Sequence, residues 1–137
     1  VKDVAVGILR KNGLVLACQR KKTALYPLQW EFPGGKIETG ETPTDALIRE
    51  LHEELGIFAI HGEELHRQEW SYGDASYRVY YYSVQAFRGE LTNQAFETIR
   101  WVTPEELRNM DILEGNREVV ERLSGKDEIA TPEEGSQ

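Results

Sequence analysis

Glu50, Glu53 and Glu54 stand at i, i+3 and i+4, so a helix would bring their carboxylates together. Like charges that close repel and weaken an isolated helix. A hard divalent cation that seeks oxygen would relieve the repulsion, which makes the trio a candidate metal site. Three glutamates alone more commonly describe an ordinary solvated helix face. Their surroundings change that reading. Arg49 reaches Glu53 at i+4 and is placed to orient it. Gly34 and Gly35 let the backbone turn tightly before the helix and approach a ligand.

The local sequence supplies the helix these acids need. Thr42 suits the N-cap and Pro43 the first helical position. Gly56 suits the left-handed residue past the C-terminus. Leu47, Leu51 and Leu55 recur at i, i+4 and i+8 and form one apolar stripe beside the acidic face.

From Gly35 to Ile57 the chain reads GKIETGETPTDALIRELHEELGI, and it resembles the Nudix box at every fixed position of that signature. The resemblance implies diphosphate hydrolysis. That reaction needs an aligned water, a base, and cations that neutralise developing charge. By resemblance, Glu53 and Glu54 bind metal with help from a backbone carbonyl of Gly34 or Gly35. Glu50 is either a further ligand or the base that activates water. Arg49 belongs to the catalytic group, whereas Glu41 has a structural part. The implied cofactor is Mg²⁺, with Mn²⁺ an alternative.

The flanks are similar to the MutT branch of that superfamily, which hydrolyses nucleoside triphosphates and prefers oxidised guanine nucleotide. Val4-Ala5-Val6-Gly7-Ile8 matches its first strand, and Trp30-Glu31-Phe32-Pro33-Gly34-Gly35-Lys36-Ile37-Glu38 its approach to the box. The implied substrate-binding residues are Arg20, Glu31, Phe32, Pro33, Gly34 and Asn116. An Asn amide carries donor and acceptor on one plane and matches a base edge. Asn116 is therefore a base reader or, since a helical stretch follows, a helix cap. Phe32 is an apolar surface for the base or part of the core. The expected reaction converts 8-oxo-dGTP to 8-oxo-dGMP and pyrophosphate, a nucleotide-pool sanitation step that serves DNA replication and repair. CTP, other nucleoside triphosphates and dinucleoside polyphosphates are the alternative substrates. A non-catalytic nucleotide-binding module is a further alternative, although such domains lack several of the acids present here. One departure stands out. Relatives of this branch often carry a glutamate where this chain has Ala95, with Glu97 nearby as a substitute. Tyr72 loosely matches the tyrosine of dinucleoside-polyphosphate enzymes, but its Tyr-rich surroundings favour packing.

Composition narrows the setting. A chain of 137 residues suits one domain with a real core. The boundaries expected are a domain over residues 1–124 and a polar tail over 125–137. Net charge of −8 argues against a surface that coats nucleic acid, which needs basic patches. A small anionic substrate stays compatible through metal ions and local cations such as Arg20 and Lys36. No apolar run reaches the roughly 18 residues of a membrane span. The single cysteine, Cys18, lies in an apolar strand and reads as a buried structural thiol. With no signal-peptide pattern in view, a cytoplasmic monomer is expected. His52, His61 and His66 lack metal-ligand spacing and are expected at the surface.

Strands are predicted over 2–10 and 14–19 around the Asn12-Gly13 turn, over 30–32, 65–72 and 76–87, and over 98–102. Thr103-Pro104-Glu105-Glu106 predicts a capped helix to about Met110, and residues 118–123 read as part of a last helix. Strands around a central helix with another helix near the end indicate an α+β domain. The family resemblance supplies the specific architecture, an α/β/α sandwich around a mixed central sheet.

Overall fold

The computed structural model describes residues 1–125, apart from the His61 side chain. The polar tail expected over 125–137, Gly125 apart, and the surface position expected of His61 lie outside the described residues. The chain forms β1 (Lys2–Lys11), β2 (Leu14–Gln19), β3 (Trp30–Glu31), β4 (Gly34–Lys36), α1 (Pro43–Leu55), β5 (Phe58–Tyr72), β6 (Ala75–Arg88) and β7 (Thr98–Val102). Then follow α2 (Pro104–Arg108), a 3-10 turn (Glu114–Asn116) and α3 (Arg117–Ser124).

The strands pair in the order β3-β2-β1-β6-β5, with β4 on β1 and β7 on β2. β1 runs parallel to β6 from Lys2↔Tyr77 to Leu9↔Val84. Its other edge meets β4 antiparallel through Val4–Val6. The sheet is therefore mixed, as the family resemblance implies.

Alternation along β1 and β2 divides the core in two. Val6, Ile8, Val15 and Ala17 join the cluster under α2 and α3. Ala5, Leu9, Leu16 and Cys18 join the cluster under α1, where Leu47, Leu51 and Leu55 are fully or almost fully buried. Helices thus cover both faces. Gly7 brings α1 close to the sheet: a Cβ there would lie 3.1 Å from Leu47 Cδ1.

Two strands differ from the expectation. β4 occupies Gly34–Lys36, which lacks any β-former. β5 starts at Phe58, seven residues before the expected start at Leu65. Its register against β6 shifts between Ala59 and His61, between His61 and Gly62, and between Glu64 and His66. Each shift resets which side chains face inward, and so hides the two-residue period.

Candidate active site

The helix that carries the acids is fixed at both ends. Thr42 accepts from the Asp45 N–H, and Asp45 returns a bond to the Thr42 N–H, a complete capping box. Gly56 closes the helix at φ 71°. Beyond it the chain segment before β7 satisfies the last carbonyls: Thr92 N–H donates to Leu55 and Gln94 N–H to Glu54, each at 2.9 Å.

Arg49 organises the exposed side of this helix. Its Nε donates to Glu41 Oε2 at 2.7 Å and its second guanidinium nitrogen to Glu41 Oε1 at 3.0 Å. It also donates to Glu50 at 3.0 Å, to the Lys36 carbonyl at 3.0 Å, and to Glu53 at 3.4 Å. The sequence pointed to Glu53 as its partner. The short bidentate contact goes instead to Glu41, which lies before the helix and which helical spacing cannot bring into view. Those bonds, with the Glu38 N–H, pull the Glu41 carboxyl down to about 2.

Glu54 points the other way. Its Oε1 accepts the Gly34 N–H at 3.0 Å. Burial above all, with the carboxylates of Glu50, Glu31 and Glu53 adding, pushes its pKa up to about 8 against the pull of that N–H. This carboxyl is starved of positive charge. Among the described residues no three His, Cys, Asp or Glu side chains already converge as a preformed metal cage. The site nevertheless suits a hard cation in two ways. The crowded carboxylates are the right donors. Gly35 also lets the Glu50 carboxylate lie directly against the backbone, because a Cβ there would run into it. Gly34 is equally constrained, since at φ 153° its Cβ would strike the backbone of Ala5 and Val6.

A cavity of about 350 Å³ opens on the α3 side of the sheet. The sequence-predicted Arg20, Glu31, Phe32, Gly34 and Asn116 all line it. Pro33 does not. It is buried, and its carbonyl accepts the Gly7 N–H at 2.9 Å. Arg20 donates to Glu31 at 3.0 Å and to the Leu25 carbonyl at 2.7 Å. Burial raises the pKa of Glu31, and Arg20 offsets part of that rise. Phe32 is both core and wall: it is 5% exposed and sits edge-on to Tyr81 with centroids 6.4 Å apart. Asn116 stands at the N-cap position of α3, as the capping alternative expected, but its side chain makes no cap bond. Its amide nitrogen donates to Tyr81 Oη at 3.2 Å.

The sequence passed over several aromatic walls. Tyr72 is more than packing, because it lines the cavity and accepts the Gly115 N–H at 2.7 Å. Tyr77, Val79 and Tyr81 line it from alternate positions of β6. Their i, i+2, i+4 spacing was the available signal. His66 is a correction: its side chain is only 11% exposed and bonds Gln68 and Arg122. In the segment before β7, Ala95 packs against the α1 cluster, while Glu97 is exposed and donates its backbone N–H to Gln19.

The NUDIX domain family matches residues 1–123. The chain is 33% identical over 122 residues to the 8-oxo-dGTP diphosphatase of Escherichia coli (strain K12), across 88% of this chain and 95% of that protein. It is 34% identical over 104 residues to the CTP pyrophosphohydrolase of the same strain, across 76% of this chain and 77% of that protein. Among solved structures, the E. coli ORF135 protein superposes with a TM-score of 0.80 at 30% identity, covering 88% of this chain and 86% of that one. The MutT NUDIX hydrolase from Burkholderia pseudomallei gives a TM-score of 0.82 at 23% identity over 90% and 98% of the two chains, a likeness of fold.

Proposed function

The chain belongs to the NUDIX domain family, and from that premise we propose that it is a metal-dependent nucleoside triphosphate pyrophosphohydrolase whose preferred substrate is 8-oxo-dGTP. One observation carries this reading. Gly34 lines the aromatic cavity that holds Asn116, and its N–H also binds the Glu54 carboxylate. A base in the cavity would therefore direct its phosphates towards the acids of α1.

Glu53 and Glu54 would hold Mg²⁺, with a Gly34 or Gly35 carbonyl and Glu50 completing the protein's donors. The bound cation would neutralise charge on the triphosphate as it breaks. Arg49, anchored on Glu41, holds Glu50 against the helix and leaves Glu53 turned outward. Glu50 is the leading candidate to take the proton of the attacking water. Water oxygen bonds to the β-phosphorus, the bond from that phosphorus to the α–β bridging oxygen breaks, and the electron pair leaves on the monophosphate. Phe32 and Asn116 hold the base. The resemblance to 8-oxo-dGTP diphosphatases supports the oxidised-guanine reading. The resemblance to a CTP pyrophosphohydrolase supports CTP as the second reading.

The test uses purified protein, Mg²⁺ and a panel of 8-oxo-dGTP, dGTP and CTP in ¹⁸O-labelled water. The expected result is the highest kcat/KM for 8-oxo-dGTP, with label in pyrophosphate only. Glu53→Gln and Glu54→Gln should each lower kcat at least about tenfold, the scale on which even a partner that merely orients a metal ligand matters. Full Mg²⁺-dependent activity in both variants would remove the proposed metal site. Label in the monophosphate would place attack at the α-phosphorus.

A further inference from the structure

A chain of hydrogen bonds runs from Arg122 to the cavity wall at Gly115 and Asn116, and its directions can be worked out. Arg122 has donors only. It therefore donates to His66 Nδ1, at 3.0 Å, and leaves the ring proton on Nε2. That proton faces Gln68 Oε1 at 3.0 Å, which turns the Gln68 amide nitrogen to the Gly115 carbonyl at 2.6 Å. Tyr81 also donates to this carbonyl, at 3.3 Å. On the other side of the same residue, Gly115 N–H donates to Tyr72 Oη. Gly115 is thus held from both sides, and the adjacent Asn116 is placed with it. Tyr81 is 1% exposed, and burial raises its phenol pKa, so the hydroxyl keeps its proton. With that proton on the Gly115 carbonyl, its oxygen can only accept from Asn116. The Asn116 Oδ1 has no partner among the described residues, and Asn116 lines the cavity.

We propose that Tyr81 is a positioning residue that locks the Asn116 amide with Oδ1 turned to the cavity as a fixed acceptor, so that the pocket selects a base edge carrying an N–H. The inference rests on the nucleotide reading of this cavity and adds the device that sets its selectivity. Guanine presents N7 as an acceptor, which would face Oδ1 lone pair to lone pair. Oxidation at C8 puts a proton on N7 and turns the clash into a bond. An amide free to flip would greet both bases equally.

Tyr81→Phe tests this, because it deletes the hydroxyl and keeps the ring that packs on Phe32. Affinities for 8-oxo-dGMP and dGMP are measured by calorimetry without divalent metal, with thermal stability recorded alongside. Wild-type protein should favour 8-oxo-dGMP. In Tyr81→Phe the ratio should fall roughly 5- to 10-fold, the size of one modest hydrogen bond. In an Asn116→Ala background the same substitution should change the ratio by less than about twofold, since both act on one amide. An unchanged ratio in Tyr81→Phe overturns the proposal. So does an undiminished effect in the Asn116→Ala background. Equal weakening of both nucleotides with a lower melting temperature also overturns it, and marks Tyr81 as structural. The nucleotide reading is judged by the wild type: no preference there rejects the oxidised-guanine assignment and this inference with it. Absent Mg²⁺-dependent turnover with the preference intact rejects the hydrolase assignment alone and leaves Tyr81 supported.

Discussion

Arg49 and Glu41 show how one side chain sets the behaviour of the next. The guanidinium is planar and forked, so a bidentate carboxylate holds it better than a single contact at 3.4 Å. Glu41 takes that role and leaves Glu53, which is 56% exposed, turned towards solvent where a cation can reach it. The pairing has a pH signature. The Glu41 carboxyl is lowered from 4.5 to about 2, first by Arg49 and then by the Glu38 N–H. A depressed acid contributes stability that is fully present above its unfolded value and lost as pH falls through the folded one. The wild type should therefore lose stability between about pH 4.5 and 2 more steeply than Glu41→Gln does. Denaturation midpoints across that window check it, and parallel acid limbs would contradict the clamp. At this scale the sequence was legible where partners lie within one helical turn. Spacing alone puts Glu50, Glu53 and Glu54 on one helical turn, but it does not show that Glu54 turns to the Gly34 N–H while Arg49 holds Glu50. The Glu41 clamp depends on a non-helical turn, and Tyr81 meets Asn116 across 35 positions, so neither can be read from local pattern.

Helix α1 was legible almost to the residue, because its signals are chemical and local. Thr42, Pro43 and Gly56 mark its ends, and three leucines mark its buried face. The sequence did not disclose what Gly56 supports. A Cβ there would come within 2.8 Å of Gln94 Nε2, in the segment that caps the carbonyls of Glu54 and Leu55. Gly56→Ala should cost about 1–3 kcal/mol, the usual cost of forcing a side chain into the left-handed region. Gln94 ends in a flexible, exposed side chain that can swing aside, so the segment should keep its bonds to Glu54 and Leu55 and the Mg²⁺ concentration for half-maximal rate should stay the same. Urea denaturation and a Mg²⁺ titration measure the two, and unaltered stability would contradict the left-handed strain at this position. The strands were less legible for a physical reason. β4 is a Gly-Gly-Lys strand that exists because β1 offers it an edge, and β5 hides its period behind three register shifts.

The whole molecule divides the work across one sheet. The acids ride on α1 above one apolar cluster, and the cavity is walled by Phe32 and Tyr81 of the other. Gly34 connects them, with its N–H on Glu54 and its backbone at the cavity. The sequence implied the layers only through family resemblance. The parallel pairing of β1 with β6 joins residues more than seventy positions apart, and no local pattern announces it. This division implies two separable ligand stabilisations. A ligand at about 100 times its Kd raises unfolding free energy by about 2.7 kcal/mol, whether it is Mg²⁺ at α1 or 8-oxo-dGMP in the cavity. Glu54→Gln keeps an acceptor for the Gly34 N–H but removes the charge. It should abolish the Mg²⁺ increment and leave the increment from 8-oxo-dGMP in chelator unchanged. Asn116→Ala should leave the Mg²⁺ increment unchanged and shrink the one from 8-oxo-dGMP, because Asn116 lines the cavity and its side chain bonds Tyr81 and none of the acids. Thermal unfolding of the three proteins, each with metal alone and with nucleotide alone, makes the comparison. If Glu54→Gln removes both increments, the base and metal sites are one cooperative unit, and Gly34 couples them instead of merely lying between them.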